Sequence, residues 1–275
     1  ISEEILQTSV DAYRKMRNTL RYLLGALHGY DETVEHLPLE RMPSLERWVL
    51  HRLQELDGVV KAGYAAYDFK KVYSALFNFC VVDLSAFYLD VRKDSLYCDR
   101  PDADRRRACR TVMHEVFMRL TAWLAPIMPF TMEEVWLSRF PSEDDSVHLR
   151  TFPKTPQDWH NGALAENWRT LRRLRRVVTG ALEVERREKR IGSSLEAAPV
   201  VHVADADLRA LLEEVRFADL CITSGIVLTD APAPEGAFTL DDVPGVAVVP
   251  AMAEGGKCAR CWKVLPDVGT HAHEA

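Results

Sequence analysis

The chain has 275 residues, 47% of them hydrophobic, and a formal net charge of −6 at pH 7, which is enough chain to bury the cores of two or three globular units. The six cysteines are too few for a disulfide-built scaffold, and four of them stand alone, which favours a reducing, cytoplasmic compartment. Because no apolar run reaches about 18 residues without a break, the sequence predicts no membrane span.

Apolar residues at helical spacing predict a helical bundle in residues 1–150. We expect its helices over residues 5–27, 44–67, 68–94 and 102–123, with a short fifth helix from residue 131. Asp68 can cap the third helix, and Thr131 with Glu134 three residues later predicts a capping box for the fifth. The short connections favour up-and-down packing of neighbouring helices.

Residues 151–197 are predicted to form a linker and a long basic helix, since prolines precede an apolar stripe that recurs from Leu164 to Leu182. The pattern then changes to short apolar runs between Gly, Pro and Asp residues, which indicates strands at 200–203, 221–222, 226–228, 238–240 and 246–249. A helix capped by Asp205 and ending near residue 217 lies among them. These elements predict a small α/β domain over residues 198–255 and leave residues 256–275 as a partial zinc-binding module.

Cys258 and Cys261 form a Cys-x-x-Cys pair in that last segment. A tight turn can direct both thiolates at one zinc ion, whereas a redox pair requires the start of a helix, which the neighbouring residues do not propose. A structural zinc needs four ligands, and no second pair follows. His271 and His273 could complete the set, although a second cysteine pair is the commoner completion. This half site, with Ile1 rather than methionine at the start, predicts a piece of a larger protein.

Two helix faces are rich in arginine and could hold phosphates. Residues 1–190 contain 30 basic and 28 acidic residues, whereas residues 191–275 contain five basic and thirteen acidic ones. One face comprises Arg14, Arg17, Asn18 and Arg21, and the other comprises Arg169, Arg172, Arg173 and Arg176. Both could bind a nucleic-acid backbone, or they could be solvated faces paired with nearby glutamates.

Trp262, directly after the cysteine pair, could stack on an unpaired base or cover the metal. The chain contains no glycine-rich phosphate loop, no Gly-x-Ser-x-Gly and no paired catalytic motif. We therefore predict no catalytic residue.

Several segments resemble, in order, the C-terminal part of bacterial-type isoleucyl-tRNA synthetases, which belong to class Ia. They are DAYRKMRNTLRYLL (11–24), NFCVVDLSAFYLD (78–90) with LYC (96–98), APIMPF (125–130) with EEVW (133–136), KRIGSSLEA (189–197) and KCARCW (257–262) with DVG (267–269). The Pro-Phe-x-x-Glu-Glu pattern is shared with valyl and leucyl relatives. The VDLSAFY run and the terminal Cys-x-x-Cys-Trp favour the isoleucyl family.

The resemblance implies a mainly α fold: a class Ia anticodon-binding helical bundle, then a long helix, a small α/β domain and a truncated zinc knuckle. It also implies that the longer protein, cytoplasmic and monomeric, activates isoleucine with ATP and attaches it to isoleucine tRNA. The His-Ile-Gly-His and Lys-Met-Ser-Lys-Ser signatures of that catalysis are absent here. This chain would therefore be inactive alone and would bind the anticodon region. The alternatives are the same region of a valyl- or leucyl-type enzyme, and a non-enzymic helical and zinc module that binds proteins.

Overall fold

The structure, a computed structural model, describes residues 2–270 and divides into two compact units after Gly162. The first unit is helical, and the second combines a long helix with a small mixed sheet. This confirms the predicted mainly α fold with a small α/β part.

The first unit is built around α7, which contacts α1, α2, α3, α6 and α8 and is buried along most of its length. The helices are α1 (Glu3–Ala26), α2 (Glu32–Glu35), α3 (Ser44–Ala65), α4 (Phe69–Asn78), α5 (Leu89–Val91), α6 (Lys93–Tyr97), α7 (Asp104–Leu124) and α8 (Pro129–Arg139). Short 3-10 turns lie at Leu39–Arg41, Val147–Leu149 and Gln157–Trp159. Most of the apolar stripe that predicts α3 packs in this core, whereas on α1 the stripe is buried only from Met16 onward and Leu6 and Tyr13 are exposed.

The third predicted helix is a continuous helical rod, but its centre is not α-helical. The ten residues Phe79–Tyr88, between α4 and α5, form a π-helical segment, and the amide of Leu89 still bonds to the carbonyl of Leu84 five residues earlier. Leu84, Phe87 and Tyr88 of this segment are buried. Because the segment is apolar over most of its circumference, hydrophobic periodicity cannot distinguish its wide turns from α-helical ones.

One stretch among the described residues, Phe69–Val91, is long and apolar enough, by length and composition alone, to cross a membrane. The sequence does not predict this stretch as a membrane span because Asp83 and Asp90 interrupt its apolar run. Half of its most apolar window is buried inside the fold. Core helices meet the same two criteria, so the stretch is weak evidence for a membrane span.

The capping box predicted at Thr131 is wrong. Helix α8 begins two residues earlier, at Pro129. Proline has no N–H, and this is tolerated there because N–H groups in the first turn of a helix have no carbonyl partner within the helix. Thr131 is the third residue of α8, and its hydroxyl lies 3.0 Å from the hydroxyl of Tyr13 on α1. Glu134 faces α1 as well, with a carboxylate oxygen 3.4 Å from Arg17.

A buried ion pair joins α3 to the end of the helical rod. The Glu46 side chain is fully buried and accepts two hydrogen bonds from the guanidinium of Arg92, each of 2.6 Å. The Tyr88 hydroxyl donates a third, of 3.2 Å. A buried carboxylate with this many donors is well compensated, whereas the loss of one partner would leave a buried charge.

The second unit contains α9 (Gly162–Arg187), α10 (Ala206–Glu213) and α11 (Phe217–Cys221). Its main sheet has the order β2–β1–β4–β3, with strands β1 (Val200–Val203), β2 (Val227–Thr229), β3 (Phe238–Leu240) and β4 (Val243–Val249). β1 runs parallel to β2 and antiparallel to β4, and β4 is antiparallel to β3. A two-stranded hairpin, β5 (Gly256–Lys257) and β6 (Val264–Leu265), follows.

Helix α9 packs closely on β3 of this sheet. A methyl group on Gly180 would lie 2.9 Å from the ring of Phe238, so glycine permits the approach. The buried face of α9 carries Trp168, Leu171, Leu174, Val177, Val178, Ala181 and Leu182. This is the apolar stripe that predicts the helix.

The strand predicted at 221–222 is wrong, and the helix predicted from Asp205 to near residue 217 ends earlier, at Glu213, with α11 beginning at Phe217. Cys221 is the last residue of α11, and Ile222 caps it in the left-handed conformation at φ 57°. A β-branched residue such as isoleucine rarely adopts this conformation and is common in strands, so the residue type at position 222 favours a strand. The tertiary fold overrides that local preference.

Candidate nucleic-acid interface and cysteine pair

The four polar residues predicted on α1 form one exposed surface, which we call the α1 face: Arg14, Arg17, Asn18 and Arg21. They recur at spacings of three and four residues and lie opposite the buried Met16, Leu20 and Leu23. The Arg14 guanidinium is 3.9 Å from Asp11, and these two side chains are 68% and 54% exposed. Exposed pairs of this kind are weak, so a phosphate can replace the carboxylate at little cost.

The second predicted surface, the α9 face, consists of Arg169, Arg172, Arg173 and Arg176. Two of its arginines hold the turn between β3 and β4: Arg173 donates to the carbonyl of Asp242 at 2.6 Å, and Arg176 lies 2.8 Å from its carboxylate. Arg169 pairs with Glu166 on its own helix, and Arg172 is half-buried. A structural role therefore accounts for much of this face, and its contact with RNA stays a prediction.

Cys258 and Cys261 lie in the loop of the β5–β6 hairpin. The amide of Cys258 donates to the carbonyl of Lys263 at 2.8 Å, and the amide of Trp262 donates to the carbonyl of Cys258 at 3.0 Å. The loop closes with Trp262 in the left-handed conformation at φ 64°. Gly255 precedes the hairpin at φ 120°, where a side chain would lie 2.2 Å from the carbonyl oxygen of Leu265.

The loop stabilises a thiolate at Cys258. The backbone amides of Cys261 and Arg260 donate to its sulfur and lower the pKa of the thiol. Burial has the opposite effect in the first unit, where it raises the pKa of Cys80 and of Cys109 to about 12. Zinc binds thiolates, so the cysteine pair fits two of its four ligand positions.

The remaining ligands are not present in residues 2–270, where no group of three or more His, Cys, Asp or Glu side chains could hold one ion. His271 and His273, the alternative ligands from the sequence, lie outside the described residues. The described residues therefore fit half of a zinc site and not a complete one.

The hairpin is anchored to α11 and the loop after it by contacts that span about 40 residues of sequence. Lys263 lies 2.6 Å from the carboxylate of Asp219, and the amide of Val264 donates to the Ser224 hydroxyl at 2.7 Å. Ser224 in turn bonds to the carbonyl of Leu195. This anchoring leaves the Trp262 side chain 63% exposed. No local sequence signal indicates these partners.

Comparison with known proteins places these features in a family. A family described as the anticodon-binding domain of tRNA ligase matches residues 46–202, which is more than half of the chain. The chain belongs to this anticodon-binding family. The match begins in α3 and ends in β1, so it includes the α9 face, while α1 precedes it.

Isoleucine–tRNA ligases resemble the chain over nearly its whole length. It is 56% identical over 269 residues to the enzyme of Brucella abortus biovar 1, and 98% of the chain is covered. It is 59% identical over 273 residues to that of Ruegeria pomeroyi and 54% identical over 271 residues to that of Agrobacterium fabrum. The chain spans 27–28% of the length of these relatives. The resemblance to isoleucyl-tRNA synthetases is thereby confirmed.

Proposed function

We propose that the chain is the tRNA-binding part of an isoleucine–tRNA ligase and binds the anticodon region of isoleucine tRNA. The longer enzyme would activate isoleucine with ATP and attach it to this tRNA, using residues beyond this chain. The observation that carries the proposal is the exposed α1 face in a chain that belongs to the anticodon-binding family. This chain alone would bind and would not catalyse.

The binding follows from the chemistry of the exposed groups. The arginines of the α1 face would neutralise backbone phosphates and set the position of the RNA, which contributes affinity and little sequence information. Sequence would be recognised at unpaired loop bases, by stacking on aromatic or guanidinium planes and by hydrogen bonds to base edges.

Cys258 and Cys261 would supply two of the four ligands of a structural zinc, and the other two would come from residues outside 2–270. The lowered pKa of Cys258 supports this assignment, because zinc requires the deprotonated sulfur. We further propose a cytoplasmic, monomeric enzyme. The cysteines of residues 2–270 form no disulfide with one another, which is consistent with a reducing compartment.

Titration of the chain with fluorescently labelled isoleucine tRNA, and with the same tRNA carrying altered anticodon nucleotides, tests the proposal. If one recognised base is lost, affinity should fall about 5- to 150-fold, since stacking contributes about 1–3 kcal/mol per base. Affinity should also fall with added salt. Equal affinity for both RNAs would contradict the proposal. Salt-independent or absent binding would point to a protein-binding bundle, and tighter binding of valine or leucine tRNA would point to the related enzymes.

Replacement of Trp262 by alanine tests whether its indole stacks on a base. We expect tRNA affinity to fall by about 1–3 kcal/mol while zinc content and circular dichroism stay unchanged. Met252→Ala removes an exposed apolar side chain of the same unit and should leave affinity intact. Unchanged affinity, with zinc retained, would return Trp262 to a role in covering the metal.

A further inference from the structure

Two adjacent cavities lie between α1 and α8 in the first unit, and we call them together the α1–α8 groove. Its first part is lined by Arg17, Arg21, Leu24, Glu134, Val135 and Ser138. Its second part, of about 440 Å³, is lined by Leu24, Leu27, His28, Gly29, Tyr30, Ser138, Arg139 and Phe140. Leu24 and Ser138 line both parts, so the two parts adjoin, and Arg17 and Arg21 in the first part belong to the α1 face.

The groove is electropositive. Three guanidinium groups, those of Arg17, Arg21 and Arg139, line it together with a single carboxylate, that of Glu134. That carboxylate lies 3.4 Å from Arg17, and both side chains are substantially exposed, so the pair is weak. An anionic chain that enters the groove can therefore be held at Arg17 and Arg21.

Arg139 is held in place by neutral groups. Its guanidinium donates to the carbonyl of Leu27 at 3.0 Å and lies 3.3 Å from Nδ1 of His114. In the described part of the chain no carboxylate lies within ion-pair distance of it, and its buried Nε has no partner. Burial lowers the pKa of Arg139, while Tyr30 and the Glu32 carboxylate act in the opposite direction.

The walls of the second part suit a flat ring. The guanidinium carbon of Arg139 lies 5.8 Å from the ring centroid of Tyr30 and 5.1 Å from that of Phe140. Tyr30 is itself stacked on His114 at 5.2 Å, which fixes its plane. At the rim, the exposed side chains of His28 and Ser138 offer polar groups. Aromatic and guanidinium planes with polar edges are the features that bind unstacked RNA bases.

The loop between α1 and α2 has open space beside it at Gly29. Gly29 has φ 64°, and no atom lies within 4 Å of the position where its side chain would begin. Arg110 of α7 donates to the carbonyl of His28 at 2.9 Å and holds this loop against α7. The volume of the second part lies in the range of small-molecule sites, about 300–1,000 Å³.

We propose that the α1–α8 groove binds two successive nucleotides of single-stranded RNA, with a phosphate at Arg17 and Arg21 and one base in the pocket formed by Tyr30, Arg139 and Phe140. This rests on the proposed tRNA binding and names where an unpaired base is recognised. The excess of guanidinium groups and the flat walls favour a nucleotide over a peptide segment.

Ser138→Tyr tests the groove, because it fills the junction of the two parts and removes no charge. Its matched control is Ser74→Tyr on α4, since Ser74 is also an exposed helical serine of the same unit. We expect Ser138→Tyr to weaken isoleucine tRNA binding about tenfold, the effect of one lost stacked base. Ser74→Tyr should match the wild type, and both variants should keep the wild-type Tm.

A set of tRNAs with single abasic positions in the anticodon loop then identifies the base. Wild-type protein should lose affinity at one loop position, and Ser138→Tyr should lose that dependence. His28→Ala, a smaller change at the rim, should reduce the same dependence if Ser138→Tyr does not fold. Salt-dependent wild-type binding with an identical abasic profile in both variants would overturn the groove proposal alone. Failure of the wild type to bind tRNA would instead overturn the proposed function.

Discussion

Replacement of Arg92 by methionine is expected to lower the free energy of unfolding by about 3–5 kcal/mol. The substitution leaves the Glu46 carboxylate fully buried without the guanidinium that donates two hydrogen bonds of 2.6 Å to it. Only the Tyr88 hydroxyl would remain as a described donor from this cluster. Urea unfolding followed by circular dichroism measures the change.

Two further variants separate burial from charge. Arg100→Met removes an arginine that is 82% exposed and pairs with Asp102, so it should cost less than about 1 kcal/mol. The double variant Glu46→Met/Arg92→Met removes both charges and should be more stable than Arg92→Met alone. If Arg92→Met cost no more than Arg100→Met, the buried pair would not stabilise the bundle.

The second large effect concerns the salt dependence of tRNA binding. Replacing Arg14, Arg17 and Arg21 together by glutamine should weaken binding and reduce the slope of log K against log [salt] by about 2. This follows because each phosphate contact to a single strand contributes a slope of about 0.7. The substituted side chains are exposed, so the fold should be retained.

The matched control for this variant changes the same net charge elsewhere in the unit. Lys70, Lys71 and Lys93 are exposed and lie off the α1 face. Their replacement by glutamine should leave the slope almost unchanged, because long-range effects are screened beyond about 10 Å at 0.1 M salt. Equal slopes for the two triple variants would show that α1 makes no direct phosphate contact.

Sequence periodicity predicts the helices whose burial is one-sided. Helices α1, α3 and α9 lie within a few residues of their expected bounds, because in each case an apolar stripe packs against neighbours. Helix α7 also lies near its expected bounds, although it is buried on most sides. The strand β1 is likewise where a short apolar run predicts it. Local pattern and tertiary packing agree in these elements.

The remaining features depend on partners that are distant along the chain. A local pattern does not predict that Glu46 is buried, because its partner lies 46 residues away. The α1 face is visible in the sequence since it is a property of one helix, whereas the groove beside it needs Ser138 and Arg139, more than 100 residues later. The sequence leaves the α9 face either to phosphate binding or to pairing with nearby glutamates, yet it is Asp242, more than 60 residues later, that engages two of its arginines.

The π-helical segment Phe79–Tyr88 has a consequence for chain length in this region. Its wide turns fit in residues that ordinary α-helical pitch would not, so α-helical pitch over the same number of residues would turn everything after Tyr88 by about 100° around the rod axis for each residue so accommodated. Arg92 would then point away from α3, and Glu46 would lose its counter-ion although neither side chain had been altered. The Glu46–Arg92 ion pair therefore depends on the number of residues between Asn78 and Arg92 as much as on the two opposite charges.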